Sequence, residues 1–340
     1  MRKLLNVLYV TTPESYLSKD GMNVVVSVNQ EERFRIPIIN LEGIVTFGYI
    51  GASPGLMKLC ADNGVSLSFL SPQGRFIGRF QGKVQGNVIL RMSQYQQSEN
   101  EERALHFAQL FVAGKIQNYR SVLRRYLRDN GQNAEVEAAT KALETSKVRA
   151  LKASSVSNLM GIEGDAANTY FAVFPYLILH QRDGFHFHGR NRHPPKDAVN
   201  ALLSFVYTLL ANETSAALET VGLDPYVGFL HALRPGRTSL SLDLMEEMRA
   251  YLGDRLVLSL INRKQISPDD FVMQGESGVV MSDNCRKTVL TAWQNRKKEM
   301  IVHPYLEEKV PVGLLPYIQA LLLARTIRGD IDDYPIFIIR

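Results

Sequence analysis

Three short stretches of the sequence combine carboxylates and a histidine in a way that suits a divalent metal ion. Glu163 lies between two glycines in GIEGDAANTYF, His231 lies in GFLHALRPGR, and Asp243 and Glu246 lie in SLSLDLMEEMR. Carboxylate oxygens are the ligands that a hard cation prefers, and one imidazole among them suits Mg²⁺ or Mn²⁺ with open water positions. Such an ion polarises a phosphoryl oxygen and offsets the charge that develops in a displacement at phosphorus.

Each stretch also has a purely structural interpretation. Glu163 fits an exposed helix position, although the flanking glycines lower helix propensity and let a ligand approach closely. His231, among apolar neighbours, fits a hydrogen-bonded core histidine. Acids in the first turns of a helix are favoured by its dipole whatever their function. Taken singly, each stretch favours the structural interpretation, and only the three together indicate a metal site.

Basic residues near these stretches are candidates for binding phosphate. Arginines follow His231, and others lie in the loop GRNRHPPKD. Arg120, Arg124 and Arg128 recur at every fourth residue, with Lys115 and Arg125 near that stripe. Such faces neutralise DNA phosphates through counterion release, but they are also typical of ordinary solvated surfaces. A basic cluster around Trp293 has the same two interpretations. The candidates for DNA binding are Arg120, Arg124, Arg190, Arg192, Arg234 and Arg237.

The histidines of HFHGRNRH give one alternative metal site. His186 and His188 would share a face on a strand, with His193 nearby in sequence. The stretch lacks an obvious fourth ligand for zinc, so we do not favour this alternative.

Composition sets the limits for these interpretations. With 340 residues, 45% of them hydrophobic, the chain is expected to form two domains. Its two cysteines, Cys60 and Cys285, lie too far apart in sequence to suggest a disulfide framework or a thiolate zinc site. No apolar run reaches the roughly 20 residues that span a bilayer. We expect a soluble cytoplasmic protein, and its net charge of +5 permits a polyanionic partner.

The predicted secondary structure that must position these residues changes along the chain from strands to helices. Short β-branched runs predict strands up to about residue 90, with turns at 19–21 and 73–74. Among them, Ser53 and Pro54 predict the start of a helix that ends before Gly64. From residue 100 the apolar residues recur with the spacing of a helix. The prediction is an α+β chain with a sandwich-like β-rich domain (1–90), a polar linker (91–99) and an all-α domain (100–340).

Two details of the helical domain bear on the candidate site. A loop is predicted over 181–195, between two helices. The helix that carries Asp243, Glu246 and Glu247 is predicted to be capped by Ser239 or Ser241. Spacings of three and four residues put Asp243 on the same face as both glutamates.

The motifs resemble those of the CRISPR-associated protein 1 integrases, which insert new spacers into CRISPR arrays. The resemblance covers nearly the whole chain, because IPIINLEGIVTFG, NGVSLSFLSPQGRFIGR, EGDAANTYF, GRNRHPPKDAVNALLSFVY, GFLHALRPGR and SLSLDLMEEMR occur in the family's order. Among subtypes, the motifs look most like those of type I-C systems.

The resemblance implies a ligand set. In the family one metal ion is held by a glutamate, a histidine and a carboxylate on a later helix. Motif by motif, these match Glu163, His231 and Glu246, and Asp243 matches another acidic position. Because family members vary between Asp and Glu there, Asp243 stays an alternative to Glu246 as the third ligand.

The resemblance also implies an activity and partners. The 3′-hydroxyl of a short double-stranded DNA fragment, the prespacer, would attack the phosphodiester at a CRISPR repeat boundary and expel the 3′-oxygen of the repeat strand. This is a transesterification, with Mg²⁺ or Mn²⁺ as cofactor. Its DNA contacts would position phosphate more than they read sequence. A homodimer packed through the β-rich domains is implied, with two homodimers bridged by a dimer of CRISPR-associated protein 2.

Two rival functions remain open on the sequence. One is a metal-dependent, structure-selective nuclease that hydrolyses DNA with water. The other is a non-catalytic DNA-binding scaffold of the same assembly.

Overall fold

The computed structural model describes residues 6–48, 50–72, 76–80, 82, 88–191, 194–275 and 278–339. Strands dominate the chain up to Phe80, and helices dominate it from Val88 onward. The prediction of an α+β chain with a β-rich beginning and a larger helical part is therefore confirmed. The predicted turn at Gln73 and Gly74 lies outside the described residues.

Two four-stranded sheets form the N-terminal part. Their strands are β1 Val7–Val10, β2 Ser15–Asp20, β3 Asn23–Val28, β4 Glu31–Pro37, β5 Gly43–Phe47, β6 Gly51–Ala52, β7 Ser66–Leu70 and β8 Phe76–Phe80. One sheet has the order β1-β5-β7-β8, in which β1, β5 and β7 run parallel. The other has the order β4-β3-β2-β6, in which β2, β3 and β4 run antiparallel.

Apolar side chains of both sheets meet in one core. Leu17 and Val24 from one sheet and Ile44 and Leu67 from the other are fully buried in the same cluster. The sequence pattern does not predict β2, because Leu17 is its only aliphatic residue. This strand forms nevertheless because β3 and β6 pair with its two edges.

Helix α1 (Pro54–Asp62) confirms the predicted cap. The Ser53 hydroxyl accepts a hydrogen bond from the backbone N–H of Leu56 (3.2 Å), and Pro54 occupies the first turn. Gly64 follows with a φ of +64°, a conformation that glycine adopts without steric penalty.

The segment predicted as a linker is helical. Helix α2 spans Val88–Glu99 and contains all of 91–99. Two of its glutamines bond backbone groups of other elements: the Gln94 amide donates to the carbonyls of Asp224 and Val227 (both 2.8 Å), and Gln97 donates to that of Ile327 (2.9 Å). Part of the polar composition therefore serves tertiary hydrogen bonds, and the position of the domain boundary stays a prediction.

Eight helices follow α2 in the described residues, beginning with the long helix α3. The helices are α3 Glu101–Asn130, α4 Ala134–Leu151, α5 Val156–Leu177, α6 Ala198–Val221, α7 Ser239–Met248, α8 Arg255–Asn262, α9 Asp283–Lys298 and α10 Leu315–Arg328. Helix α3 contacts α4, α5 and α7. The loop predicted over 181–195 lies between α5 and α6, as expected.

Two short antiparallel ribbons interrupt the region that was predicted to be entirely helical. Strands β9 (Phe271–Met273) and β10 (Val279–Met281) form one, and β11 (Met300–Val302) and β12 (Lys309–Pro311) form the other. Three-residue strands are too short for a period-two pattern to show in the sequence.

Helix α6 is the core helix of the helical part. By length and composition alone it could cross a membrane, with a mean hydropathy of 1.2 over its most apolar 18 residues. However, 67% of that window is buried within the protein, as in the core helix of a soluble protein.

The C-terminal strap, residues 330–339, ties α3 to α7. The Asn118 amide of α3 donates to the Phe337 carbonyl (2.8 Å) and accepts from the Ile339 N–H (2.9 Å), while the Phe337 N–H donates to Glu247 of α7 (2.6 Å). Gly114 permits the close approach of the two helices, because an added Cβ would lie 3.2 Å from the Cβ of Glu247.

Candidate metal centre and active site

Glu163 lies in the middle of α5, on the side that faces α3. The helix begins after Ser155, whose hydroxyl accepts a hydrogen bond from the N–H of Asn158 (3.1 Å). The Glu163 side chain keeps 25% of its surface exposed. At Gly161 and Gly164 an added Cβ would meet no atom within 4 Å, so both of these positions border open space.

Glu246 lies on α7 and is buried, with 2% of its surface exposed. Burial alone would raise the pKa of its carboxyl, but the positive groups of Arg249 and Lys115 outweigh that effect and lower the pKa to about 2. The Arg249 guanidinium lies 3.1 Å from Oε1. Glu246 is therefore a buried, ionised carboxylate at neutral pH.

The ammonium group of Lys115 joins the two carboxylates. This α3 residue is 2% exposed; its Nζ contacts Oε1 of Glu163 and lies 2.6 Å from Oε2 of Glu246. The contact to Glu246 is an ion pair without hydrogen-bond geometry, so the buried Oε2 has no hydrogen-bond partner. A cation thus already bridges the oxygens that the sequence predicts as metal ligands.

Asp243 fixes His231 in place. Its Oδ2 accepts the N–H groups of Phe229 (2.6 Å) and Leu230 (2.9 Å), and its Oδ1 accepts the backbone N–H (3.0 Å) and Nδ1 (2.6 Å) of His231. Gly228 is required there, because a Cβ would lie 2.5 Å from Oδ2. Since an ionised Asp243 only accepts, we assign the proton to Nδ1, which leaves Nε2 of the neutral ring free to bind a cation.

This geometry bears on the alternative third ligands. Both oxygens of Asp243 already accept two N–H bonds each, and the side chain is fully buried. The buried Oε2 of Glu246, by contrast, is balanced only by Lys115. The arrangement favours Glu246 as the ligand and gives Asp243 the task of orienting His231.

The residues fit a hard divalent ion, but they are not gathered as a finished site. Two carboxylates and one imidazole nitrogen are the donors that Mg²⁺ or Mn²⁺ would take, and the His231 side chain lies within electrostatic reach of Glu246. Within the described ranges, however, no three His, Cys, Asp or Glu side chains form a group that could hold a metal ion. Lys115 occupies the position between the two glutamates.

The start of α7 differs from the prediction. Neither Ser239 nor Ser241 caps the helix: Thr238 precedes it without a side-chain hydrogen bond, Ser239 bonds the Ala232 carbonyl (3.2 Å), and Ser241 bonds the Ser215 hydroxyl (2.7 Å). Helix α7 is held by buried tertiary contacts, which a local capping pattern does not reveal.

Glu247 does not share the chemistry of its neighbours. It accepts hydrogen bonds from Gln319 (3.0 Å), from the Tyr334 hydroxyl and from the N–H of Phe337. Burial raises the pKa of its carboxyl to about 7, even though these bonds act in the opposite direction. Glu247 therefore anchors the C-terminal strap.

Behind Glu246, a buried network holds Arg249. Its guanidinium lies over the Tyr207 ring (5.0 Å to the centroid), and that of Arg190 lies over the same ring (5.4 Å). The Tyr207 hydroxyl donates to Asp254 (2.5 Å). Arg249 to Asp254 form a π-helical turn, a feature often found at functional sites, and Gly253 lets it pass the Tyr207 ring, from which a Cβ would be 2.8 Å away.

Known proteins that are similar in sequence identify the family of this chain. Residues 8–295 match the sequence model of the family described as CRISPR associated protein Cas1. The chain belongs to this family. It is 50% identical, over the full length of both chains, to a CRISPR-associated endonuclease Cas1 of Chlorobaculum tepidum, and 48% identical, over 98% of both, to one of Rhodospirillum rubrum.

Solved structures show the same fold at lower identity. A Cas1 protein from Thermotoga maritima superposes with a TM-score of 0.82 at 23% identity, covering 98% of this chain and all of the other. A casposase bound to integration product also gives 0.82, at 21% identity over 97% and 92% of the chains. A chain of a Cas6-RT-Cas1–Cas2 complex gives 0.82 at 22% identity, covering 97% of this chain and 36% of that one.

The predicted phosphate-binding arginines are placed differently from one another. Arg234 is exposed and Arg237 half-buried on the loop that follows His231. Arg190 is bonded to Asn200 (2.8 Å) and Ser204 (3.0 Å) of α6, so part of its bonding capacity is used inside the protein. Arg192 lies outside the described residues.

On α3, the predicted basic stripe divides into two kinds of residue. Arg124 is exposed, whereas Arg120 is half-buried and paired with Glu144 of α4 (2.5 Å). Lys115, which the sequence suggests as part of the same DNA-facing stripe, is turned inward to Glu163. That part of the interpretation is wrong, because the face of α3 at Lys115 packs against α5 and α7.

Lys115 and Arg249 are the site residues that sequence reasoning misses. For Lys115 a signal existed: it lies in the apolar run FVAGKI, where a buried lysine needs an acidic partner. Arg249 follows Glu246 by three residues, a spacing that brings the two side chains together on a helix.

The remaining candidates do not join this centre. His186 and His188 are exposed, with parallel rings 6.4 Å apart, and His193 lies outside the described residues. In the basic cluster of α9, Trp293 and Lys297 are buried and both donate to Glu213 (2.9 and 2.8 Å), so the centre of that cluster is structural.

We predict that Asp243→Asn changes the tautomer of His231. An asparagine amide would place N–H donors beside Nδ1, so the neutral ring is expected to move its proton to Nε2. Nitrogen NMR of the labelled protein should show Nδ1 protonated in the wild type and Nε2 protonated in the variant. His231→Gln identifies the signal, Asp283→Asn on α9 is the control, and an unaltered tautomer would contradict the assignment.

A second prediction concerns pH. Burial raises the pKa of Asp254 from 3.8 to about 6, against the opposing effect of the Tyr207 hydrogen bond. Because the folded state holds the proton more tightly, the associated stability is fully present below pH 3.8 and is lost as pH rises through 6. Relative to Asp254→Asn, the wild type should lose about 3 kcal/mol of unfolding free energy across that window. Urea unfolding of both proteins across this pH range measures the two free energies. If the free energies of the wild type and of Asp254→Asn change with pH in parallel, the prediction is contradicted.

Proposed function

We propose that this chain is a divalent-metal-dependent DNA integrase that joins the 3′-hydroxyl ends of prespacers to CRISPR repeat boundaries by transesterification. The observation that carries the proposal is the convergence of two carboxylates, Glu163 and Glu246, on one cationic position. A histidine whose ring is fixed by Asp243 lies within electrostatic reach of Glu246. The centre would take Mg²⁺ or Mn²⁺ through Glu163, Glu246 and Nε2 of His231.

The chain's own residues would prepare this reaction. When bound, Mg²⁺ or Mn²⁺ supplies polarisation of the scissile phosphoryl oxygen and activation of the attacking 3′-hydroxyl. Asp243 holds the imidazole in one orientation, and Arg249 balances the charge of Glu246 inside the protein. The Glu163 side chain is a quarter exposed, which would give DNA access to this carboxylate.

Relatives support this proposal and its partners. The curated relatives are named endonucleases, one structural neighbour is a casposase bound to integration product, and another belongs to a complex with Cas2. We propose the same class of partners here: prespacer and repeat DNA, a homodimer packed through the β-rich parts, and a bridging dimer of CRISPR-associated protein 2. We also propose that the protein belongs to a type I-C system and acts in the cytoplasm.

Hydrolysis is the second candidate function, because the relatives' names specify endonuclease activity. The same centre would then present water in place of the 3′-hydroxyl. A prespacer whose 3′ ends are blocked separates the two functions: an integrase stops joining it to a supercoiled plasmid, whereas a nuclease continues to cut the plasmid.

We predict that Glu163→Gln, His231→Gln and Glu246→Gln each lower plasmid integration by at least about 100-fold, equivalent to about 2.7 kcal/mol of transition-state stabilisation. Duplex binding should stay within a few-fold, since phosphate contacts dominate affinity. Glu135→Gln, at an exposed position of α4, is the control. Full integration by all three variants would leave only the scaffold interpretation.

We also predict that the salt dependence of duplex binding identifies the DNA-facing arginines. Arg124→Gln and Arg234→Gln should each reduce the slope of log K against log salt by about 0.9, the value for one phosphate contact. Arg120→Gln should have a smaller effect, because Arg120 pairs with Glu144. Arg33→Gln on β4 serves as control, and an unchanged slope for Arg124→Gln would remove α3 from the DNA path.

A further inference from the structure

Lys115 is an unusual residue for the interior of a helical protein. It is 2% exposed and lies in an apolar run of α3, with Nζ 5.7 Å from the centre of the Tyr119 ring. Lysine is rarely buried to this degree unless its charge is paired. Here the pairing is double, to Glu163 of α5 and to Glu246 of α7.

The charges of this group balance without any metal. Lys115 and Arg249 contribute two positive charges, and Glu163 and Glu246 contribute two negative ones. A divalent ion on the same carboxylates would bring two further positive charges into a buried, weakly screened place. It would also need the Oε2 atom of Glu246 that Nζ approaches to 2.6 Å.

We propose that Lys115 is an internal counter-cation that the metal ion displaces, and that the displaced ammonium group then binds a phosphate of the DNA. The inference rests on the proposed metal site. Lysine suits this exchange because its charge is compact and sits on a flexible four-carbon stem. The Glu163 side chain is a quarter exposed, so its contact with Lys115 reaches the protein surface at that carboxylate, where a DNA phosphate could approach.

The exchange couples two ligands. In the absence of DNA, a bound metal ion leaves the Lys115 ammonium group without a counter-charge. This cost lowers the affinity of the site for the metal ion. A DNA phosphate supplies that counter-charge, so DNA should strengthen metal binding and, by reciprocity, metal should strengthen DNA binding. A lysine that only props α3 against α5 and α7 would produce no such coupling.

The test measures Mn²⁺ binding to the full chain by electron paramagnetic resonance, with and without a duplex whose 3′ ends lack the hydroxyl. For the wild type we expect the duplex to tighten Mn²⁺ binding by about tenfold or more. For Lys115→Met we expect Mn²⁺ alone to bind about tenfold more tightly than to the wild type, with little further gain from the duplex.

Two variants serve as controls. Lys115→Arg keeps the charge and should keep weak binding in the absence of DNA. Lys147→Met removes a lysine of α4 that pairs with Glu144, at 24% exposure, and should behave as the wild type. Thermal melting tests the fold of Lys115→Met, whose midpoint Mn²⁺ should raise more than that of the wild type.

The outcomes separate this inference from the proposed function. If the wild type binds no Mn²⁺, or Glu163→Gln binds it equally well, the metal site itself is wrong. If the wild type binds through Glu163 but Lys115→Met binds no more tightly, the displacement is wrong. If Lys115→Met binds Mn²⁺ more tightly but the duplex still tightens that binding as much as in the wild type, the proposed contact between Lys115 and a DNA phosphate is wrong.

Discussion

A buried positive charge organises the helical part of this Cas1-family chain. The Lys115 ammonium group lies at the middle of α3 and needs the carboxylates of Glu163 and Glu246, which come from helices 83 residues apart in sequence numbering (246 − 163). Leaving any of these charges buried without the others would be strongly destabilising. The packing of α3 against α5 and α7 therefore depends on the same contact that brings the candidate ligands together.

A second group of contacts fixes the loop of His231 and the C-terminal strap against α7. Asp243 uses both oxygens to hold the loop of His231, and Glu247 holds the C-terminal strap against α7. Asp243, Glu246 and Glu247 thus have different tasks, although these acidic residues look alike in sequence. Of these three, only Glu246 has a buried oxygen that lacks a hydrogen bond, and that difference is what makes it a ligand candidate.

Sequence reasoning succeeds where a local rule decides the structure. The cap at Ser53 and the valine-rich run of β3 follow from local patterns, and the structure confirms both. It fails where distant contacts decide: β2 forms by pairing on both edges, and α2 is a helix because Gln94 bonds a remote loop. The ligand set came from the resemblance, and the residues alone left it open.

The central claim is that Glu163, His231 and Glu246 hold one divalent ion. Anomalous diffraction from a crystal of the chain grown with Mn²⁺ and a 3′-blocked duplex tests it most directly. The account predicts one strong peak about 2.0–2.3 Å from an oxygen of each glutamate and from Nε2 of the histidine, with Asp243 still bonded to Nδ1. A peak coordinated by Asp243, or none between the two glutamates, would contradict it.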